Sequence, residues 1–319
     1  MCRHQMNERT MEELTDRIAV VTGGASGLGR AFGERFVDAG MKVVLADIEG
    51  PALDATVADL QAAGGEVAGV VCDVSNHQSV VDLAAEVDNF FGPPQVVCLN
   101  AGVRMGAPRI LNTPDQDKDA DESEGTGDLP EASGGRGPGG LLAETTMADW
   151  TWVLGVNLWG VIHGVDVFLP GMRKRNEGHV VFTASMAGHH VYPAMGSYAA
   201  SKYAVVAIAE TLQVELLEAG SAVGVTCLCP GLVSTNIFTS ERNRPGDLAT
   251  SDVEPLSAEE EAHQEMVLKW LLANGHEPSS VAELVHQAIV ANTFWVLPDD
   301  SHFQALADRL DSIKEQRSP

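Results

Sequence analysis

Short runs of apolar residues alternate along this chain with longer stretches in which apolar positions recur every three or four residues. Ile18-Ala19-Val20-Val21 leads into a glycine cluster over 22–29, and residues 30–39 have the spacing of a helix that Gly40 ends. Val43-Val44-Leu45-Ala46 ends at Asp47, and a helical stretch over 51–63 stops at Gly64-Gly65. Residues 67–71, a helix over 77–91 and Val96-Val97-Cys98-Leu99 continue the rhythm up to Asn100-Ala101-Gly102. Runs of four or five apolar residues without polar alternation suit strands buried on both faces, and helices between them suit βαβ units. The predicted class is α/β, with a parallel sheet of about seven strands.

The rhythm breaks at about 104–145. Residues 115–131 hold eight acids against one lysine, and residues 134–140 hold five glycines, which reads as a solvated loop inserted between regular elements. Asp117, Asp119 and Asp121 resemble the start of a calcium loop, but Glu122 stands at the turn-glycine position and Asp128 at the twelfth. No metal is expected there. Beyond it the pattern predicts one helix over 147–173, a strand over 180–183, a helix over 197–218, a strand over 223–228 and an irregular polar segment over 232–255. Ser257 with Glu260, and Ser280 with Glu283, have capping-box spacing and mark two further helix starts. Ala262, Met266, Val267, Trp270 and Leu271 make an apolar stripe suited to covering a core or pocket. A short strand over 294–297 and a helix over 302–316 close the chain. The domain reading is an extension over 1–16, with Met11 a candidate start, then one domain over 17–319 with a substrate-loop region at about 232–275.

Composition narrows the function. Of 319 residues, 45 are acidic and 20 basic, a formal net charge of -25. Such a field repels phosphate backbones and anionic lipid heads, so neither nucleic acid nor membrane is an expected partner. The apolar runs are short, the first residues lack a leader's apolar core, and a cytoplasmic location is expected. The five cysteines show no CxxC spacing and are read as reduced core thiols, with Cys227 and Cys229 expected on opposite sides of their strand.

Two groups of residues carry chemistry. Thr22-Gly23-Gly24-Ala25-Ser26-Gly27-Leu28-Gly29 follows a strand and opens a helix, where glycines let the backbone approach a pyrophosphate at a helix N-terminus. Asp47 ends the second strand, where a carboxylate accepts both hydroxyls of an adenosine ribose and repels a 2'-phosphate. Neither Ser26 nor Ile48 is basic, so the reading is NAD on a Rossmann-type doubly wound sheet. The second group is Ser185 with Tyr198 and Lys202. Tyrosine and lysine four apart share a helix face, so an ammonium beside the phenol would draw its pKa down toward a general acid or base. A serine at a strand end can hold the reacting oxygen.

Together these motifs resemble the short-chain dehydrogenase/reductase superfamily, in its shorter branch with Thr-Gly-x-x-x-Gly-x-Gly and Tyr-x-x-x-Lys. The likeness covers about 17–102 and 147–235, and Asp73-Val74, Asn100-Ala101-Gly102, Asn157 and 230–235 agree with it. The resemblance implies a catalytic tetrad of Asn157, Ser185, Tyr198 and Lys202, with Asn157 holding a water that links Lys202 to solvent. It also implies that Lys202 grips the nicotinamide ribose. The cofactor would contact Gly23, Ser26, Gly27, Leu28, Gly29, Asp47, Ile48, Asp73 and Val74. Further on it would meet Asn100, Ala101, Gly102, Tyr198, Lys202, Pro230, Gly231, Val233 and Thr235. The activity implied is NAD-dependent hydride transfer between nicotinamide and a secondary alcohol or ketone, in a homodimer or homotetramer. The alternative is a non-catalytic NAD-binding redox sensor or scaffold, whose mark would be a broken tetrad.

The substrate is less legible. Met186, Ala187, His189, His190, Tyr192 and Met195 are candidate pocket walls and Arg104 a candidate rim residue. Phe238, Met266, Trp270 and Leu271 point to an apolar substrate. Trp150, Trp152 and Trp159 are read as core or subunit packing.

Overall fold

The computed structural model describes residues 14–105, 141–249, 258–300 and 303–318. The expected apolar runs become strands and the periodic stretches become helices, in this order: β1 (Ile18–Thr22), α1 (Gly27–Asp38), β2 (Lys42–Asp47), α2 (Gly50–Ala62), β3 (Val67–Val71), α3 (His77–Phe90), β4 (Val96–Leu99), α4 (Met147–Leu154), α5 (Gly160–Arg175), β5 (His179–Thr183), α6 (Gly196–Glu218), β6 (Gly224–Leu228), α7 (Ala258–Asn274), α8 (Pro278–Ala291), β7 (Trp295–Val296) and α9 (Phe303–Glu315). All seven strands are parallel, in the order β3-β2-β1-β4-β5-β6-β7. The order reverses between β1 and β4, where Val21 pairs with both Leu45 and Cys98. A crevice must open at the carboxyl ends there, because the chain leaves those strands in opposite directions.

The unbroken apolar runs have a direct cause. Val20, Val44, Val97, Val180 and Phe182 face one layer, with Leu83, Phe168 and Val205 on the helices over it. Their neighbours Val21, Val43, Leu45, Cys98 and Val181 face the other, packed with Phe32, Phe36, Val285 and Ile289. Every position of a central strand is therefore buried. Cys227 and Cys229 both lie in the first layer with their sulfurs 3.8 Å apart. Residues two apart share a strand face, which corrects the expectation that they face opposite sides.

Several helix ends are set by their sequence. The Asn76 side chain caps α3 by accepting from the backbone N–H groups of Gln78 and Ser79, and Thr146 with Asp149 forms a full capping box on α4. Asn176 and Asn292 end α5 and α8 in left-handed conformation. Ser280 is no cap: α8 starts at Pro278, and the Ser280 hydroxyl donates to the Glu277 carbonyl one turn back. A proline at the first helical turn set the start two residues earlier. The expected box at Ser257 and Glu260 and the acidic and glycine-rich segment over 106–140 lie outside the described residues, as does the extension up to residue 13. Of the apolar stripe on α7, Ala262 and Met266 are exposed and Trp270 is half-buried.

The helix expected over 147–173 is interrupted. Between α4 and α5 lies a π-helical turn, Gly155–Trp159, with Asn157 buried inside it. The whole stretch Met147–Arg175 is long and apolar enough to cross a membrane by length and composition, contrary to the expectation from short apolar runs. Its polar residues are spaced too widely to lower the average. In the fold it packs against α3, α6 and β4.

Candidate functional site

A cleft of about 250 Å³ opens at the carboxyl ends of β1 and β4 and continues across β5 and β6. The glycine cluster forms one end. Gly23 has φ +68°, and a Cβ there would stand 2.9 Å from the Ala101 Cα. At Gly29 a Cβ would stand 2.0 Å from the Gly23 carbonyl oxygen, so only glycine lets α1 start this close to the loop. Asp47 accepts the Ala25 N–H at 3.0 Å and the Glu49 N–H at 3.0 Å, which fixes its carboxylate at the cleft edge. Asn100 ties β4 to β1: its backbone N–H donates to the Thr22 hydroxyl at 2.9 Å and its side chain donates to the Thr22 carbonyl at 3.0 Å.

Ser185, Tyr198 and Lys202 line the same cleft. Ser185 follows β5, and its Oγ accepts the Ala187 N–H at 3.1 Å. Tyr198 and Lys202 come from the first turns of α6, both almost completely buried. The Lys202 ammonium donates to the Thr183 carbonyl at 2.9 Å and stands 5.6 Å from the centre of the Tyr198 ring. Burial draws the Lys202 pKa down to about 8. Tyr198 departs from the expectation: burial raises its pKa, opposed by a hydrogen bond with Ser185 and by the positive charge of Arg104. Desolvation of the phenolate outweighs both.

Asn157 sits behind the cleft wall. Its Oδ1 accepts the Val103 N–H at 2.7 Å, while its Nδ2 donates to the Val103 carbonyl at 2.9 Å and to the Ser201 hydroxyl at 3.1 Å. The side chain thus clamps the backbone after β4 to α6, and the π turn presents it there. Of the residues singled out for cofactor or tetrad, Asn157 and Gly29 alone do not line the cleft; the others do.

The suggested walls divide. Met195, Arg104 and Phe238 line the cleft; Met186 and Ala187 are buried in the protein, and Met266 and Trp270 lie elsewhere. His189 is drawn away by Cys229, 3.3 Å from its Nε2, and by the Trp295 ring at 5.3 Å. His190 packs on Tyr192. Trp152, read as packing, borders the cleft, while Trp159 is exposed.

Sequence reasoning missed how the segment after β6 is fastened. Arg242 pairs with Glu49 at 2.6 Å, and Arg244 pairs with Asp149 at 2.5 Å beneath the Trp152 ring. The Arg242 guanidinium holds the Glu49 carboxyl below its usual range. These partners are 193 and 95 positions apart, and an irregular segment has no periodicity to announce them.

A glycine-floored crevice at the reversal of strand order defines a doubly wound nucleotide-binding α/β protein. Comparison with known proteins gives the family: a short chain dehydrogenase family model matches residues 17–123 and 131–246, and this chain belongs to that family of oxidoreductases. A short-chain dehydrogenase/reductase from Burkholderia phymatum, solved in complex with NAD, is similar over 97% of this chain and 98% of its own, with a TM-score of 0.82 and 38% identity. A CLA biosynthesis dehydrogenase/reductase of Lactiplantibacillus plantarum is 26% identical over 97% of each chain. The 1-deoxy-11-beta-hydroxypentalenate dehydrogenase of Streptomyces exfoliatus is 34% identical over 75% of this chain and 76% of its own.

Proposed function

We propose that this chain is an NAD-dependent dehydrogenase that interconverts a secondary alcohol and a ketone on a largely apolar substrate. The observation that carries this reading is the convergence of Ser185, Tyr198 and Lys202 on the cleft that the glycine loop and Asp47 close at the other end. The residues present suit a dinucleotide: side-chain-free backbone at Gly23 and Gly27, the N-terminus of α1, and a carboxylate at the end of β2. When bound, NAD supplies the hydride acceptor. Asp47 favours a free ribose diol over a 2'-phosphate, and the nearby Arg242 is already engaged by Glu49. The NAD bound to the Burkholderia phymatum relative points the same way.

The chain's own residues handle the proton. Tyr198 Oη exchanges it with the substrate oxygen, and Ser185 Oγ donates to that oxygen as charge develops on it. In the resting site burial keeps the phenol protonated, so Tyr198 is set to donate in carbonyl reduction. Lys202, fixed by the Thr183 carbonyl, holds the nicotinamide ribose, and Asn157 fixes the loop that faces it. Trp152, Val156, Met195, Ile237 and Phe238 give the substrate end apolar walls, in keeping with a relative named for a hydroxypentalenate. The working form is a homodimer or homotetramer built on α5 and α6, where α6 exposes Val214 and Leu217 and the π turn before α5 exposes Trp159. The test offers secondary alcohols with NAD or NADP and follows NADH. Ketone and NADH formed one for one, with NAD preferred, bear the reading out; preference for NADP overturns the role of Asp47, and binding without turnover leaves a sensor.

A further inference from the structure

Arginines stand in and beside the cleft, and among the described residues they differ in one respect. Arg242 is neutralised by Glu49 and Arg244 by Asp149. Arg104, which lines the cleft with Ser185 and Tyr198, is only 7% exposed, and its guanidinium lies 4.9 Å over the Phe238 ring. No carboxylate and no hydrogen-bond acceptor among the described residues meets it. Burial pulls its pKa down, and among the described residues a phenolate at Tyr198 would offset this. A guanidinium carries five N–H donors, and those of Arg104 reach the cleft with no acceptor among the described residues to occupy them. The backbone that carries it is held, because the Asn157 side chain grips both backbone groups of Val103 just before it.

We propose that Arg104 is a specificity-determining residue that binds a carboxylate on the substrate, so that the enzyme acts on an apolar hydroxy acid or the matching oxo acid. The inference rests on the dehydrogenase reading above and names its substrate class. The planar guanidinium fork matches a carboxylate in two parallel hydrogen bonds. Arg104 lines the same cleft as Ser185 and Tyr198, so one bound molecule can meet all three. The cofactor's phosphates have their own donors at the N-terminus of α1, so they do not need this cation. The apolar walls that include Trp152, Met195 and Phe238 take the remainder of the molecule. In a chain with a net charge of -25, a buried cation at the cleft is the feature that lets an anionic substrate settle.

Two measurements on the full-length enzyme test this. In the first, mandelate, 3-hydroxy-3-phenylpropanoate and 3-hydroxycyclohexanecarboxylate are each offered beside their methyl esters with NAD. Wild type is expected to prefer at least one acid over its ester by about a hundredfold in kcat/KM. Arg104→Met is expected to erase that preference by raising the acid's KM, and Arg104→Lys to restore part of it. Esters used as well as acids, or an acid KM unmoved by Arg104→Met, would overturn the proposal. In the second, cyclohexanecarboxylate and its amide are titrated calorimetrically into the NADH complex of wild type and Arg104→Met, with NADH affinity as the folding control. Binding of the acid but not the amide, lost in the variant, supports the carboxylate site even where no alcohol is oxidised. In that case the dehydrogenase reading alone has failed. Equal binding of acid and amide, or a variant whose defect is in NADH affinity, overturns the site.

Discussion

Tyr198 shows how single residues here are governed by burial as much as by neighbours. A lysine four positions on predicts a phenol drawn toward the acid side, yet the described geometry sends Lys202 to the Thr183 carbonyl and leaves burial in charge of the phenol. Spacing on a helix tells which side chains share a face; it does not tell which acceptor an ammonium will choose. Gly29 is the opposite case, since its need is visible both in the motif and in the backbone. A Cβ there would overlap the Gly23 carbonyl, which cannot move without opening the glycine loop. Gly29→Ala is expected to cost about 1–3 kcal/mol of stability, the range of a forced overpacking, and to weaken NADH binding about tenfold. Urea unfolding and fluorescence titration check both, and an unshifted midpoint would contradict the packing described.

At the scale of elements, β5 holds a titrating group inside the sheet. His179 is 2% exposed, its Nε2 lies 2.8 Å from the Thr226 hydroxyl, and burial depresses its pKa to about 3. In the unfolded chain the imidazole binds a proton near pH 6.5, so between pH 6.5 and 3 the unfolded state holds one proton more than the native state. Stability therefore rises with pH across that window and falls as the medium is acidified, by about 1.4 kcal/mol per pH unit for this group. Comparing urea midpoints at pH 7 and 5, wild type is expected to lose more than His179→Gln, which keeps a hydrogen-bonding side chain and does not titrate. Equal losses would contradict the assignment.

The same scale shows what the sequence made legible. Strands β1 to β6 and the helices between them follow from apolar runs and period, and in the central strands the runs are unbroken because a strand covered on both faces must be apolar at every position. The π turn at Asn157 was not legible, since five residues in a different helix keep the same apolar composition. The start of α8 was misplaced because Ser280 and Glu283 imitate a capping box inside a helix that Pro278 had already begun.

For the whole molecule, the cleft residues come from the segments after β1, β3, β4 and β6, the ends of β2 and β5, and α1, α4 and α6, and the switch in strand order is what gathers them. The motif residues of that cleft were readable from sequence. Its latches, Arg242 to Glu49 and Arg244 to Asp149, and the isolation of Arg104 were not, because they depend on partners brought together only by folding. Exposed Trp159, Val214 and Leu217 lie by α5 and α6, apolar surface of the kind that subunits cover. Trp159→Glu combined with Val214→Glu is expected to lower the mass measured by light scattering to that of one chain. A wild-type mass of one chain would contradict the oligomer.

The role proposed for Tyr198 is to transfer the proton of a secondary alcohol in an NAD-dependent oxidation. The most direct measurement is kcat for NADH formation by wild type and Tyr198→Phe on the same alcohol, with NADH affinity measured alongside. A fall of about a hundredfold or more at unchanged NADH affinity is the expected result, since the change removes the general acid/base and little else. Turnover by Tyr198→Phe within a fewfold of wild type would contradict it.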